Sequence, residues 1–186
     1  VTDSGWKRLA WRHVFRSPWF NVRQDDVLLP GGEQIQYNVV EHGGWVLVVP
    51  LFEDGSILME RVYRWTLQDW LLECPSGGRD GEPPEVAGRR ELEEETGYRA
   101  ENLRHLGRFA ASDGYSDELY DVFLATGLTE DGQMAREPTE LMKLERMPLA
   151  VLEEMALHAE IPDGPSALAI LLVAAFVRRM DAKESR

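Results

Sequence analysis

The chain has one cysteine in 186 residues, Cys74, so no disulfide can form within it. It is also short of positive charge. Lys and Arg number 20 against 33 Asp and Glu, a net charge of −13. That balance argues against a nucleic-acid backbone as the main partner, because phosphate chains are bound by cationic neutralisation. Long apolar runs are missing too. The longest uncharged apolar stretch, residues 167–177, is 11 residues, well short of the ~20 that span a bilayer. No secretory leader pattern opens the sequence. His13 has no partner at metal-ligand spacing and is expected to be packed or on the surface. A cytoplasmic protein, with neither membrane nor nucleic acid as partner, is the expectation.

What is present is ordinary for a globular chain: 44% hydrophobic and 28% charged residues. Residues 9–41 contain three strand-like segments, with Pro30-Gly31-Gly32 as the turn between the last two. They predict a small antiparallel sheet. His42-Gly43-Gly44 interrupts the chain, and residues 45–51 follow as a near-continuous apolar run, the pattern of a strand buried on both faces. Glu53-Asp54-Gly55 predicts a hairpin turn into a partner strand over 56–63. Shorter strands are expected at 71–73, 103–109, 118–125 and 141–147. Helices are expected from Pro148 to about 157 and over 167–180. Strands, one helix, strands and two helices make an α+β chain with helices packed around a mixed sheet. Residues 1–43 are expected to form a strand-rich arm and 44–186 the main domain.

The densest chemistry lies in residues 82–98, after a Pro75-Ser76-Gly77-Gly78 loop. Pro83 and Pro84 suit the first turn of a helix, and Gly97 suits its end. On a wheel of ~100° per residue, Glu94 falls about 60° to one side of Glu91 and Glu95 about 40° to the other. Three carboxylates therefore share one edge, and Glu93 points away. Like charges at these spacings destabilise a bare helix by a few tenths of a kcal/mol per pair. A solvated acidic face is one explanation. A hard divalent cation with oxygen ligands is the other.

The wider pattern favours the cation. Arg90-Glu91-Leu92-Glu93-Glu94-Glu95-Thr96-Gly97-Tyr98 resembles Arg-Glu-aliphatic-x-Glu-Glu-x-Gly-aliphatic, with seven residues between Glu82 and Arg90. This resembles the Nudix box of the Nudix hydrolases. One departure is clear: Gly77 has four residues between it and Glu82, and the motif has five. Either Ser76 holds the first position or the loop is one residue short. Outside the box, Glu73-Cys74-Pro75-Ser76-Gly77 is similar to the Glu-x-Pro-Ala-Gly of ADP-ribose pyrophosphatases and other nucleoside-diphosphate-sugar hydrolases. Val62-Tyr63-Arg64 and residues 112–118 resemble two further motifs of that branch. The resemblance extends over about residues 15–177.

The resemblance implies a Nudix-type α/β/α sandwich and hydrolysis of a diphosphate bond in ADP-ribose or a related nucleoside-diphosphate sugar. It implies Mg²⁺, with Mn²⁺ as an alternative, held by Glu91, Glu94, Glu95 and the backbone carbonyl of Ser76. Arg90 is expected to hold the box carboxylates in place, and Glu94 to serve catalysis directly. A general base is expected in the polar loop after the box, where Glu137-Pro138-Thr139-Glu140 stands; Glu140 is the first candidate and Glu137 the second. Arg64 suits a phosphate or ribose contact, since guanidinium binds phosphate in a bidentate way. Glu73 and Glu118 are further substrate candidates, Glu118 equally placed to order its loop. Trp65 and Trp70 are candidates for stacking on a base or for core packing. The resemblance also implies a homodimer formed through the N-terminal arm. Two other readings stay open: a Nudix-fold nucleotide-binding or regulatory module without turnover, and a Nudix hydrolase of another diphosphate such as GDP-mannose, a CDP-alcohol or a dinucleotide.

Overall fold

Alternating and continuous apolar runs become ten strands and three helices among the residues that the computed structural model describes, 4–135 and 141–184. In order they are β1 (Lys7–Arg16), β2 (Asn21–Leu28), β3 (Gln34–Glu41), β4 (Trp45–Pro50), β5 (Ser56–Arg64), β6 (Asp69–Glu73), β7 (Ser76–Gly78), α1 (Pro84–Thr96), β8 (Arg99–Ala110), β9 (Leu119–Thr129), β10 (Met142–Pro148), α2 (Leu149–Leu157) and α3 (Gly164–Glu184). The α+β class is as expected. The mixed sheet expected around the helices is distributed over two sheets, ordered β10-β5-β6 and β7-β4-β9-β8.

The chain forms two compact units. One comprises Val1–Gly44 with Phe109–Tyr120, the other Trp45–Arg108 with Asp121–Arg186. In the first, β1, β2 and β3 form an antiparallel sheet in that order. Residues 109–120 join it through main-chain bonds between Val40 and both Tyr115 and Asp117, and through Tyr37 Oη, which donates to the Gly114 carbonyl at 2.8 Å. Nearly every residue of β1 is exposed, Trp11 and Phe15 included.

In the second unit, β4 is buried along almost its whole length, as a continuous apolar run requires. Val46 and Val48 share one face and pack with Ala87 and Leu92 of α1 and with Phe123 and Ala125 of β9. Complete burial of Leu92 contributes about 1.5–3 kcal/mol. This fixes which side of α1 faces the sheet. The helix starts with Pro84 after a Pro83 cap, and Gly97 closes it at φ 75° with its N–H on the Glu93 carbonyl at 2.8 Å.

One local expectation is corrected. The Pro-Ser-Gly segment is not all loop: Ser76, Gly77 and Gly78 form β7, antiparallel to Leu47, Val46 and Trp45. The Pro75 carbonyl also accepts from Val48 N–H at 2.9 Å. An edge of β4 that would otherwise be unpaired explains why so glycine-rich a stretch becomes a strand.

Candidate active site

Two elements build the site. α1 carries Arg90, Glu91, Glu94 and Glu95, and β7 lies alongside. Gly77 allows the approach: a Cβ there would sit 2.2 Å from Cδ of Glu91 and 2.3 Å from each of its carboxylate oxygens. The Glu91 carboxylate thus occupies the space a side chain would need. The backbone N–H of Ser76 donates to Oε2 of Glu95 at 2.7 Å. Glu91 and Glu95 are buried and Glu94 is about a third exposed.

Arg90 is the hub. Its Nη1 donates to Glu91 Oε1 at 2.8 Å and to Glu94 Oε2 at 3.0 Å. Its Nε donates to Glu82 Oε2 at 2.9 Å, and its Nη2 to the Gly78 carbonyl at 2.8 Å. One planar guanidinium thus joins three carboxylates to the β7 backbone. Burial alone would lower the Arg90 pKa. The bonds to Glu82 and Glu94 and the charge of Glu91 outweigh that and raise it above the ordinary guanidinium value. Glu93 faces elsewhere, paired with Arg99 at 2.6 Å.

The donor set suits a hard divalent cation, since every candidate ligand is a carboxylate or carbonyl oxygen. The side chains are nevertheless not gathered about a single point. Among the described residues no three His, Cys, Asp or Glu are arranged to hold an ion. The reason is visible in the bonding: Glu91 and Glu94 turn to Arg90, and Glu95 turns to the Ser76 amide. The chemistry of the donors fits a cation.

The expected substrate residues are distributed over both units. Arg64 and Glu73 do meet: Arg64 Nε donates to Glu73 Oε1 at 2.9 Å and Nη2 engages the other oxygen. That bond raises the Arg64 pKa against the opposing effect of burial, and the charges of Asp163 and Glu95 raise it further. Arg64 is about half exposed while Glu73 is buried. Trp70 lies three positions from Glu73 on the same strand, so it projects from the opposite face. There it meets Tyr63 edge-on, 5.7 Å between centroids, with Lys143 Nζ 5.7 Å from its ring centre. Trp65 is 76% exposed in the β5–β6 turn, so core packing is excluded for it. Glu118 belongs to the other unit, 3.3 Å from His42 Nδ1. Glu137 and Glu140 lie outside the described residues. Cys74 is fully buried, and burial pushes its thiol pKa well above the ordinary value, in keeping with a packed, unreactive thiol.

Two participants had no sequence signal. The Gly78 carbonyl, which accepts from Arg90, is a backbone group with no identity to read. Arg79, whose guanidinium donates to the Glu82 carbonyl at 3.1 Å and so holds the turn before α1, looks like any loop arginine.

A model of the NUDIX domain matches residues 42–167. The chain belongs to the Nudix hydrolase family. A second model, the nucleoside diphosphate sugar hydrolase N-terminal domain, matches residues 6–40 of this Nudix protein. An ADP-ribose pyrophosphatase of Bacillus subtilis is 32% identical over 166 residues, covering 88% of this chain and 90% of its own. One from Mycobacterium tuberculosis is 37% identical, covering 83% and 76%. A crystal structure of an ADP compounds hydrolase superposes with a TM-score of 0.83 over 94% of this chain and 95% of its own, at 24% identity, which establishes the shared fold. Nudix hydrolases depend on metal as a family. Among the described residues no helix is long and apolar enough to cross a membrane.

Proposed function

We propose that this Nudix hydrolase cleaves the diphosphate bond of ADP-ribose or a related nucleoside-diphosphate sugar. Water adds to one phosphorus, the bridging P–O bond breaks, and the products are a nucleoside monophosphate and a sugar phosphate. The observation that carries the reading is the row of box carboxylates on α1 packed against β7. The two ADP-ribose pyrophosphatases, similar over most of their length, supply the substrate class.

Glu91, Glu94, Glu95 and the Ser76 carbonyl would hold Mg²⁺ or Mn²⁺. When bound, such an ion neutralises diphosphate oxygens and lowers the pKa of a coordinated water. It also reconciles a protein of charge −13 with an anionic substrate. Arg90 keeps the carboxylates in register with β7. Arg64, oriented by Glu73, presents the exposed part of its guanidinium to a phosphate or ribose. Glu140, with Glu137 as the alternative, takes the proton from the attacking water. Trp65 has the exposure to stack on a base, and Glu118 is retained as a candidate sugar contact. A homodimer formed through the β1–β2–β3 sheet is supported by exposed Trp11 and Phe15 on β1 and by exposed Trp6 and Trp19 in the segments flanking it.

The test is incubation with ADP-ribose, ADP-glucose and GDP-mannose, with Mg²⁺ and with chelator, followed by product identification. AMP and ribose 5-phosphate from ADP-ribose, formed only with metal, are expected. Glu94→Gln should abolish turnover with the circular dichroism spectrum unchanged. No turnover of any diphosphate by the native chain with metal present would overturn the enzyme reading.

A further inference from the structure

The second unit holds a cavity apart from the carboxylate edge of α1. About 560 Å³ of space opens where β8 meets the C-terminal half of α3, a size that suits a small organic ligand. Among the described residues β8 ends its sheet, so its outer backbone groups face no neighbouring strand. α1 reaches the cavity through Arg89. On a wheel of ~100° per residue Arg89 falls about 160° from Glu91, on the side away from the box carboxylates.

The lining is cationic in a chain of charge −13: Arg89 and Arg104 stand against a single carboxylate, Glu101. Arg89 is fixed beside the strand, its Nη1 donating to the Ala100 carbonyl at 2.7 Å and its Nη2 to Glu85 at 3.3 Å. Arg104 is held differently. Its guanidinium lies 5.0 Å from the centre of the Phe176 ring. That contact orients the group and uses none of its five N–H donors. Among the described residues Arg104 pairs with no carboxylate.

The side chains of Glu101, Asn102 and Thr126 also line the cavity. Among the described residues none of the three makes a hydrogen bond or ion pair. Glu101 lies over Gly127, where a Cβ would come within 2.7 Å of the Glu101 Cβ and 3.0 Å of its Oε2. Glycine at 127, at φ 66°, leaves that carboxylate its place. Leu124, Phe176 and Met180 add an apolar wall. Guanidinium groups suit a phosphate. A carboxylate, an amide and a hydroxyl suit the hydroxyls of a sugar, and the apolar wall suits the face of its ring.

We infer that this cavity is a second ligand site, for a small phosphorylated sugar: Arg104 and Arg89 take the phosphate, and Glu101, Asn102 and Thr126 take the hydroxyls. Its phosphate-binding groups are themselves cations, so binding here needs no metal. The assignment is independent of the chemistry at the α1 carboxylates.

The test follows amide hydrogen exchange across residues 101–104 in the native chain and in Arg104→Gln, in chelator, with ribose 5-phosphate, ribose or inorganic phosphate as probe. Saturating ribose 5-phosphate should slow exchange in the native chain by about tenfold, with a Kd of about 1 mM or below. Ribose and inorganic phosphate at the same concentration should slow it less than about twofold. Arg104→Gln should raise the Kd for ribose 5-phosphate by about tenfold or more, the loss expected of a charge-assisted bond. No slowing by ribose 5-phosphate at about ten times that Kd would overturn the site. Slowing that appears only with Mg²⁺ would place the ligand on the α1 carboxylates and overturn it too. An unchanged Kd in Arg104→Gln would overturn the part given to that residue. Inorganic phosphate as effective as ribose 5-phosphate would overturn recognition of the sugar. Inactivity of the native chain towards diphosphates is a separate outcome, because the exchange comparison involves no turnover.

Discussion

Removing the guanidinium at the centre of the site should cost this protein much of its stability when metal is withheld. Arg90 makes four hydrogen bonds, to Glu82, Glu91, Glu94 and the Gly78 carbonyl. The Glu91 bond is the strongest case, since that side chain is only 10% exposed; a charge-assisted bond there contributes about 2 kcal/mol. The bond to the Gly78 carbonyl contributes about 1 kcal/mol. Glu82 and Glu94 are more than a third exposed, and solvent screening reduces each to about 0.5 kcal/mol. Arg90→Ala should therefore lose about 4 kcal/mol, and in a chain of this size that lowers Tm by about 8–15 °C. Mutual repulsion of the three remaining carboxylates acts in the same direction. The assay is thermal unfolding in chelator and again in Mg²⁺. The deficit should shrink in Mg²⁺, because a bound cation supplies the positive charge that the variant lacks. Arg90→Lys should fall between, since an ammonium cannot bridge four acceptors in one plane. A Tm loss below about 2 °C in chelator would refute the hub, and an equal deficit with and without Mg²⁺ would refute the link between Arg90 and a cation site.

Gly77→Ala should force the Glu91 carboxylate out of its place, lowering stability by about 1–3 kcal/mol and hydrolysis more than tenfold; native kinetics in that variant would show that Glu91 can move without consequence. At acid pH, Asp54 should contribute visibly. The hydroxyl and N–H of Ser56, then Arg146, hold its pKa at about 2, below the ordinary 3.8. A carboxylate whose pKa is lowered by folding stabilises the fold above its unfolded value, and that stability is lost as pH falls from about 4 towards about 2. Asp54→Asn should flatten the fall in Tm over that interval, and superimposable profiles for the two proteins would exclude the effect.

Much of this site was legible before any coordinate. The box carboxylates share one helix edge because 3.6 residues per turn makes them do so. The strand-helix order followed from apolar period, and the burial of β4 on both faces from its unbroken run. The opposed projection of Trp70 and Glu73 was also within reach, as a matter of parity, once β6 is extended back to Asp69. Its starting residue was hidden because Asp69 and Trp70 are exposed and carry no burial pattern.

What only the tertiary structure decided is what each charge faces. The identity of Arg90 is written in the sequence. Its acceptance by Gly78 is not, because that partner is a carbonyl that every residue possesses. Strand β7 exists because β4 offers it an edge, not because Ser76-Gly77-Gly78 favours extension. Glu93 looks spare on a helical wheel; it pairs with Arg99 just past the helix and meets the Gln133 amide only when residues 130–135 return to the helix end. Local periodicity fixes which side chains share a face. The partner across that face comes from a distant part of the chain, and its arrival depends on packing that no local pattern records.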